Sequence, residues 1–96
     1  MNLEPKLLTV DIFRPEYGRR YSSLPVDSLD RRGFMIDCTD TYMSPERYDL
    51  CPGDIVRWFT EDGYLQATLS SVERTETHVY VTVQGTKLLS PDFFPY

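Results

Sequence analysis

YDLCPGDIVRWFTEDGY, Tyr48 to Tyr64, is the stretch that decides the fold. Pro52-Gly53 is a turn pair, and the short side chain of Asp54 is suited to satisfy the turn it follows. Asp54 to Thr60 alternates, with Val56 and Trp58 on one face, which is the period of a half-buried strand. Glu61-Asp62-Gly63 then reverses the chain, Gly63 supplying the left-handed conformation such a turn needs. Tyr64 to Arg74 resumes the alternation, with Leu65, Ala67 and Leu69 sharing a face. After a second reversal at Thr75-Glu76, His78 to Gln84 puts Val79, Val81 and Val83 on one side and His78, Tyr80 and Thr82 on the other. Three strands joined by short turns make an antiparallel meander.

Upstream, Lys6 to Phe13 alternates with Leu8, Val10 and Ile12 on one face, predicting another strand. Gly33 to Thr39 predicts a further one, with Phe34, Ile36 and Cys38 aligned. Between them, Arg14 to Gly33 is dense in charge, serine, proline and glycine. It reads as a long loop of the functional or mobile kind, with a turn of helix over Val26–Arg31. Ser44-Pro45-Glu46 carries helix-start chemistry and predicts a short helix that lids one end of the sheet. The tail from Thr86 to Tyr96 holds Leu88-Leu89, a candidate final strand, and an aromatic end at residues 90–96 expected to pack on the core. The expectation is a single domain, 1–96, mainly β: a small antiparallel barrel or sandwich of 5–6 strands with one short helix.

Composition bounds the function. At 14% aromatic the chain has the rings to build a core, which disordered chains lack. No apolar run approaches the about 18–20 residues of a membrane-spanning helix, and the N-terminus has no basic region followed by an apolar stretch. The cytoplasm is therefore the expected compartment, and no membrane partner is expected. Cys38 falls in an apolar alternation and reads as a buried hydrophobe, while Cys51 lies in the corner. The net charge is −5 and uneven. Residues 1–33 carry six basic against five acidic side chains, and residues 34–96 carry four against ten. Such a body repels phosphate at long range, so direct nucleic-acid binding is not expected. The pairs Arg19-Arg20 and Arg31-Arg32 read as solvated groups or as partners of nearby acids.

No catalytic pattern stands out. Glu61-Asp62 belong to a turn tip in water, where two carboxylates are not pushed apart in pKa as acid–base pairs must be. His78 is the lone histidine, on the polar face of a strand. There is no Gly-x-Ser-x-Gly, no phosphate-cradling glycine loop and no His-Glu-x-x-His. No enzyme, no cofactor and no metal site is expected. Arg57-Trp58-Phe59 has the residue types that stack nucleobases, but Trp58 shares the face of Val56 and is expected in the core.

The corner Leu50 to Trp58, L-x-P-G-D-I-V-R-W, followed by ATLSSVE, resembles the entry of SH3-like small barrels, including KOW and Tudor-like modules. The resemblance spans Leu50 to Gln84 and implies architecture rather than activity. A fainter resemblance, in the rhythm of GFMIDCTD and the Gly-Asp corner, is to phage head–tail joining proteins. In size and acidity the chain is similar to phage-encoded inhibitors such as anti-CRISPR proteins.

The leading expectation is therefore a protein-binding module that occupies a basic, nucleic-acid-binding surface of a host protein. Its contact residues are expected to be Asp37, Asp40, Glu46, Tyr48, Asp49, Glu61, Asp62 and Tyr64, with Tyr42 and Tyr80 as further exposed rings. The alternatives are a virion structural component and a nucleic-acid-binding barrel that works through Arg19, Arg20, Arg31, Arg32 and Arg57.

Overall fold

A computed structural model describes residues 8–91. Strands make up 63% of them and helix 4%, so the chain is mainly β. The strands are β1 (Leu8–Arg14), β2 (Gly18–Val26), β3 (Ser28–Asp30), β4 (Gly33–Asp37), β5 (Ile55–Thr60), β6 (Gly63–Arg74) and β7 (His78–Leu88). They form one antiparallel sheet in the order β2-β1-β5-β6-β7-β4-β3. The sheet curls into a half-barrel, compatible with a small barrel. Its two outermost strands are consecutive in the chain: β2 runs into β3 through Asp27 alone. The Asp27 amide donates to the Met35 carbonyl of β4 at 2.8 Å, which draws the two edges together at that point.

The meander β5-β6-β7 is present as the alternation predicts. Val56 lies opposite Ala67 and Trp58 opposite Leu65, and Leu69 lies opposite Val83. These residues are all buried, together with Val10 and Ile12 of β1 and Phe34 and Ile36 of β4. The concave side is thus the apolar side, filled mainly by β-branched, leucine and aromatic side chains from six strands, β2 included.

Several expectations are corrected. Residues 14–33 are not a long loop: they hold β2 and β3, which raises the strand count to seven, and Val26–Arg31 takes no helical turn. The reversal into β2 turns on Glu16, a non-glycine at φ 72°, with the Tyr17 amide bonded to the Arg14 carbonyl. A second positive φ, at Ser23 (54°), coincides with shifts of the β1–β2 register, and the Asp11 carboxylate accepts from the Ser23 amide at 2.7 Å. A bulged edge strand needs only a few inward residues, here Leu24 and Val26, so it lacks the alternation that marks the other strands. The predicted short helix is a single 3-10 turn, Pro45–Arg47; Ser44 holds the cap position but makes no side-chain cap bond. Among the described residues Leu88 ends β7 rather than starting another strand. The aromatic end Phe93–Tyr96 lies outside the described residues.

Candidate functional site

The connection between β4 and β5 is where polar side chains converge. It begins at Cys38, carries the turn Pro45–Arg47, and ends in the corner Cys51-Pro52-Gly53-Asp54. The corner is a tight turn in which the Asp54 amide donates to the Cys51 carbonyl at 3.0 Å. Gly53 takes φ 96°, the positive value that the third position of a type II turn requires, and proline suits the second. The corner is stitched to β6 by the Gly53 amide to the Leu69 carbonyl and by the Leu69 amide to the Asp54 carbonyl, both at 2.8 Å. Asp54 satisfies the turn as its sequence position suggests: its Oδ2 accepts from the Cys51 amide at 2.9 Å.

Asp54 is 2% exposed, and a carboxylate so deep needs a cation. Arg14, the last residue of β1, supplies it through two parallel bonds, Nε to Oδ1 at 2.9 Å and Nη2 to Oδ2 at 3.0 Å. The same guanidinium reaches Asp49, Nη2 to Oδ1 at 3.0 Å and Nη1 to Oδ2 at 3.2 Å. Arg20 of β2 completes the cluster with Nη2 to Asp49 Oδ2 at 2.6 Å. Bonds from Asp54 and then Asp49 raise the Arg14 pKa above the ordinary guanidinium value. Arg14 and then Arg20 hold the Asp49 carboxyl below the usual carboxylate range. Two cations and two anions meet here, so the cluster is internally neutral.

The segment ahead of the corner is held from other sides as well. Arg74 of β6 donates to the carbonyls of Pro45, Tyr48 and Leu50 at 3.1, 2.8 and 3.1 Å. The Asp49 amide donates to the Tyr21 hydroxyl at 2.8 Å. Pro45 and Leu50 are buried and Tyr48 packs against the core. Residues 45–50 therefore plug the half-barrel instead of hanging from it.

The residues expected to contact a partner fall into separate groups. Asp49 keeps a side chain 42% exposed, and Arg14 and Arg20 engage both of its oxygens. Tyr48 is partly buried, and burial pushes its phenol pKa up. It lines a hollow of about 260 Å³ with Val26, Asp27, Ile36, Asp37 and Thr41, at the gap between β2 and β4. Asp37 is partly exposed and accepts from the Thr39 amide at 2.9 Å; its bonds to Thr39 hold it below the usual carboxylate range. His78 lies beside it, Nε2 at 3.5 Å. Asp40 and Glu46 are exposed. Glu61 and Asp62 occupy the β5–β6 turn, and Tyr64, just beyond it, meets the Phe59 ring edge-on at 5.2 Å. Trp58 is in the core, which removes it as a stacking platform.

The composition alone does not single out Arg14 or Arg74. Each lies at the end of a strand, and its role depends on carbonyl and carboxylate oxygens brought near it from distant parts of the chain. A second cleft, of about 590 Å³, opens between Arg14, Tyr17, Arg20 and the corner, with Cys51 exposed at its wall. Both cysteines are free, and burial pushes the Cys38 thiol up in pKa. Among the described residues no three His, Cys, Asp or Glu side chains gather as a metal site. No helix among them is long and apolar enough to cross a membrane. No protein-family model, curated protein or solved structure matches the chain.

Proposed function

We propose that the chain is a protein-binding module that works without catalysis, presenting the Asp37–Glu46 loop to a basic surface of a partner protein. One observation carries this. Tyr42 is fully exposed, and the carboxylates of Asp40 and Glu46 stand exposed on either side of it in sequence. A ring left in water gains nothing for the fold, yet tyrosine among charges has the composition of an interface anchor. The loop is also held in shape: the Thr41 hydroxyl donates to the Cys38 and Met43 carbonyls, and Arg74 fixes the residues that follow. A held loop loses little conformational freedom on binding, which favours affinity. Asp37, kept ionised by Thr39, adds a fixed negative charge at its base.

The finer form of the proposal is an inhibitor, encoded by a phage or mobile element, that covers a nucleic-acid-binding site on a host protein. Carboxylates placed over a basic patch compete with phosphate for the same cations. The SH3-like resemblance of the corner is compatible with such a scaffold and assigns it no partner. The test is capture of the partner by the tagged chain from the encoding cell, followed by competition with that partner's nucleic acid. Asp40→Lys, Tyr42→Ala and Glu46→Lys combined are expected to abolish both capture and competition while the urea midpoint stays within error. Undiminished capture by that variant would overturn the proposal.

A further inference from the structure

The gap between β2 and β4 is bridged by one residue rather than by a ladder. The Asp27 amide donates to the Met35 carbonyl at 2.8 Å, and Asp27 Oδ2 accepts from the Asp37 amide at 2.6 Å. Both carboxylates thereby line the hollow of about 260 Å³ at this gap. Asp37 Oδ1 accepts from the Thr39 amide, and His78 Nε2 stands 3.5 Å from it, beyond ordinary hydrogen-bond length. Among the described residues no arginine or lysine pairs with Asp27 or Asp37. Arg47 and Arg74 line a different cleft, together with Glu46 and Asp49. The rest of the hollow is not acidic. Val26 and Ile36 are buried in its wall, Pro25 and the Tyr48 ring add apolar surface, and Thr41 adds a hydroxyl. The negative charge reaches the neighbours of the hollow: behind burial, Asp27 helps to push up both the Tyr48 phenol and the Cys38 thiol.

We infer that this hollow takes the side chain of one arginine from the partner's basic surface, which rests on the docking proposed for the neighbouring loop. Volume sets the size of the occupant. The space is several times the roughly 30 Å³ share of one water, and it falls short of the about 300–1,000 Å³ of small-molecule pockets. One long side chain is of the right order. The lining sets its chemistry, because an apolar wall and an anionic rim call for an apolar stem with a cationic head. A guanidinium suits the rim better than an ammonium. It is flat enough to stack on the Tyr48 ring, its fork spreads donors over two carboxylates, and it is less strongly hydrated. The rim also gains from being occupied. Two carboxylates at one site repel each other, and a cation between them removes that repulsion. An acidic side chain or a phosphate would add to it.

The test is amide NMR of the full chain titrated with a blocked glycine–arginine–glycine peptide. Its citrulline counterpart, uncharged and close in shape, and its lysine counterpart are titrated alongside. The arginine peptide is expected to shift Val26, Asp27, Ile36, Asp37, Thr41 and Tyr48. The citrulline peptide is expected to leave them in place, and the lysine peptide to bind several-fold more weakly. Asp27→Asn, which keeps an acceptor for the Asp37 amide, is expected to weaken arginine binding about three- to fivefold. Asp37→Asn, at a side chain 43% exposed, serves if that variant impairs folding. No shifts at tens of millimolar arginine peptide would overturn the inference. Equal binding of the citrulline or lysine peptide, or shifts centred on acids outside the hollow, would also overturn it. The titration needs no partner, whereas the docking of the loop is read by capture. Capture lost in the combined Asp40, Tyr42 and Glu46 variant, with no peptide shifts in the unaltered chain, would remove the arginine slot and leave the docking standing. Peptide shifts at the hollow with undiminished capture by that variant would keep the slot and overturn the docking.

Discussion

Asp54 holds the corner by occupying two roles with one carboxylate. It accepts from the Cys51 amide within its own turn and from Arg14 across the sheet. Asp54→Asn keeps the shape but turns a donor toward the guanidinium, leaving a buried group unpaired. The expected loss is about 1–3 kcal/mol, read as a drop in the urea midpoint. Asp49→Asn should cost less, because that side chain is 42% exposed and its ion pairs are screened. Acid adds a signature. Asp49 and Asp37 both titrate below the usual carboxylate range in the folded chain. A depressed folded pKa means that stability is present in full above the unfolded value near about 4, and is lost as pH falls through the folded value. Unfolding followed from pH 7 to pH 2 should show stability falling only in the acid range, with a shallower fall in Asp49→Asn.

At the scale of the element, the strands with one face to the core were legible and the edge strands were not. β5, β6 and β7 alternate because one side of each meets apolar neighbours and the other meets water. β2 is polar for most of its length, since it pairs with β1 alone and is bulged at Ser23. Its proline, Pro25, and its charges, Arg19 and Arg20, are what an edge strand carries to resist pairing with another chain, and in the sequence they look like a loop. Where strands approach most closely, one residue decides. A Cβ on Gly33 would lie 1.9 Å from the Val81 carbonyl oxygen, so Gly33→Ala forces β4 away from β7. It should cost more than about 3 kcal/mol. Gly53→Ala meets open space and costs only the strain of its positive φ, about 1–2 kcal/mol. Thermal melts of the two variants rank them, and an equal loss would show that the close approach does not matter.

Across the whole molecule, the half-barrel is completed by a segment whose regular structure is a single 3-10 turn. Residues 45–50 fill the open side and are held by Arg14, Arg20, Tyr21 and Arg74, from three different strands. The loop that carries Tyr42 leads directly into this plug, so its presentation depends on bonds made far from it. Arg74→Ala removes three donors to the plug's carbonyls. Amide exchange over residues 45–50 should quicken well before that of β6 and β7, and partner capture should weaken although no contact residue has changed. Uniform protection across the chain would show that the plug is held by packing alone.

The sequence by itself determined the meander, the corner and the apolar face, because each rests on local chemistry: a period of two, a proline–glycine turn, a short acid able to accept from it. It also determined that Trp58 and Cys38 are core, and that an acidic body opposes phosphate. Tertiary structure alone decided that residues 18–30 are strand, that Asp49 is spent on two arginines, and that Phe13 lies between Arg19 and Arg57. These outcomes depend on partners distant in the chain: Asp11 meets Arg57, Phe34 meets Val81, and Arg14 meets Asp54. A side chain's period shows which face it takes; which charge it will find across the sheet depends on the register of strands that fold together from opposite ends of the sequence.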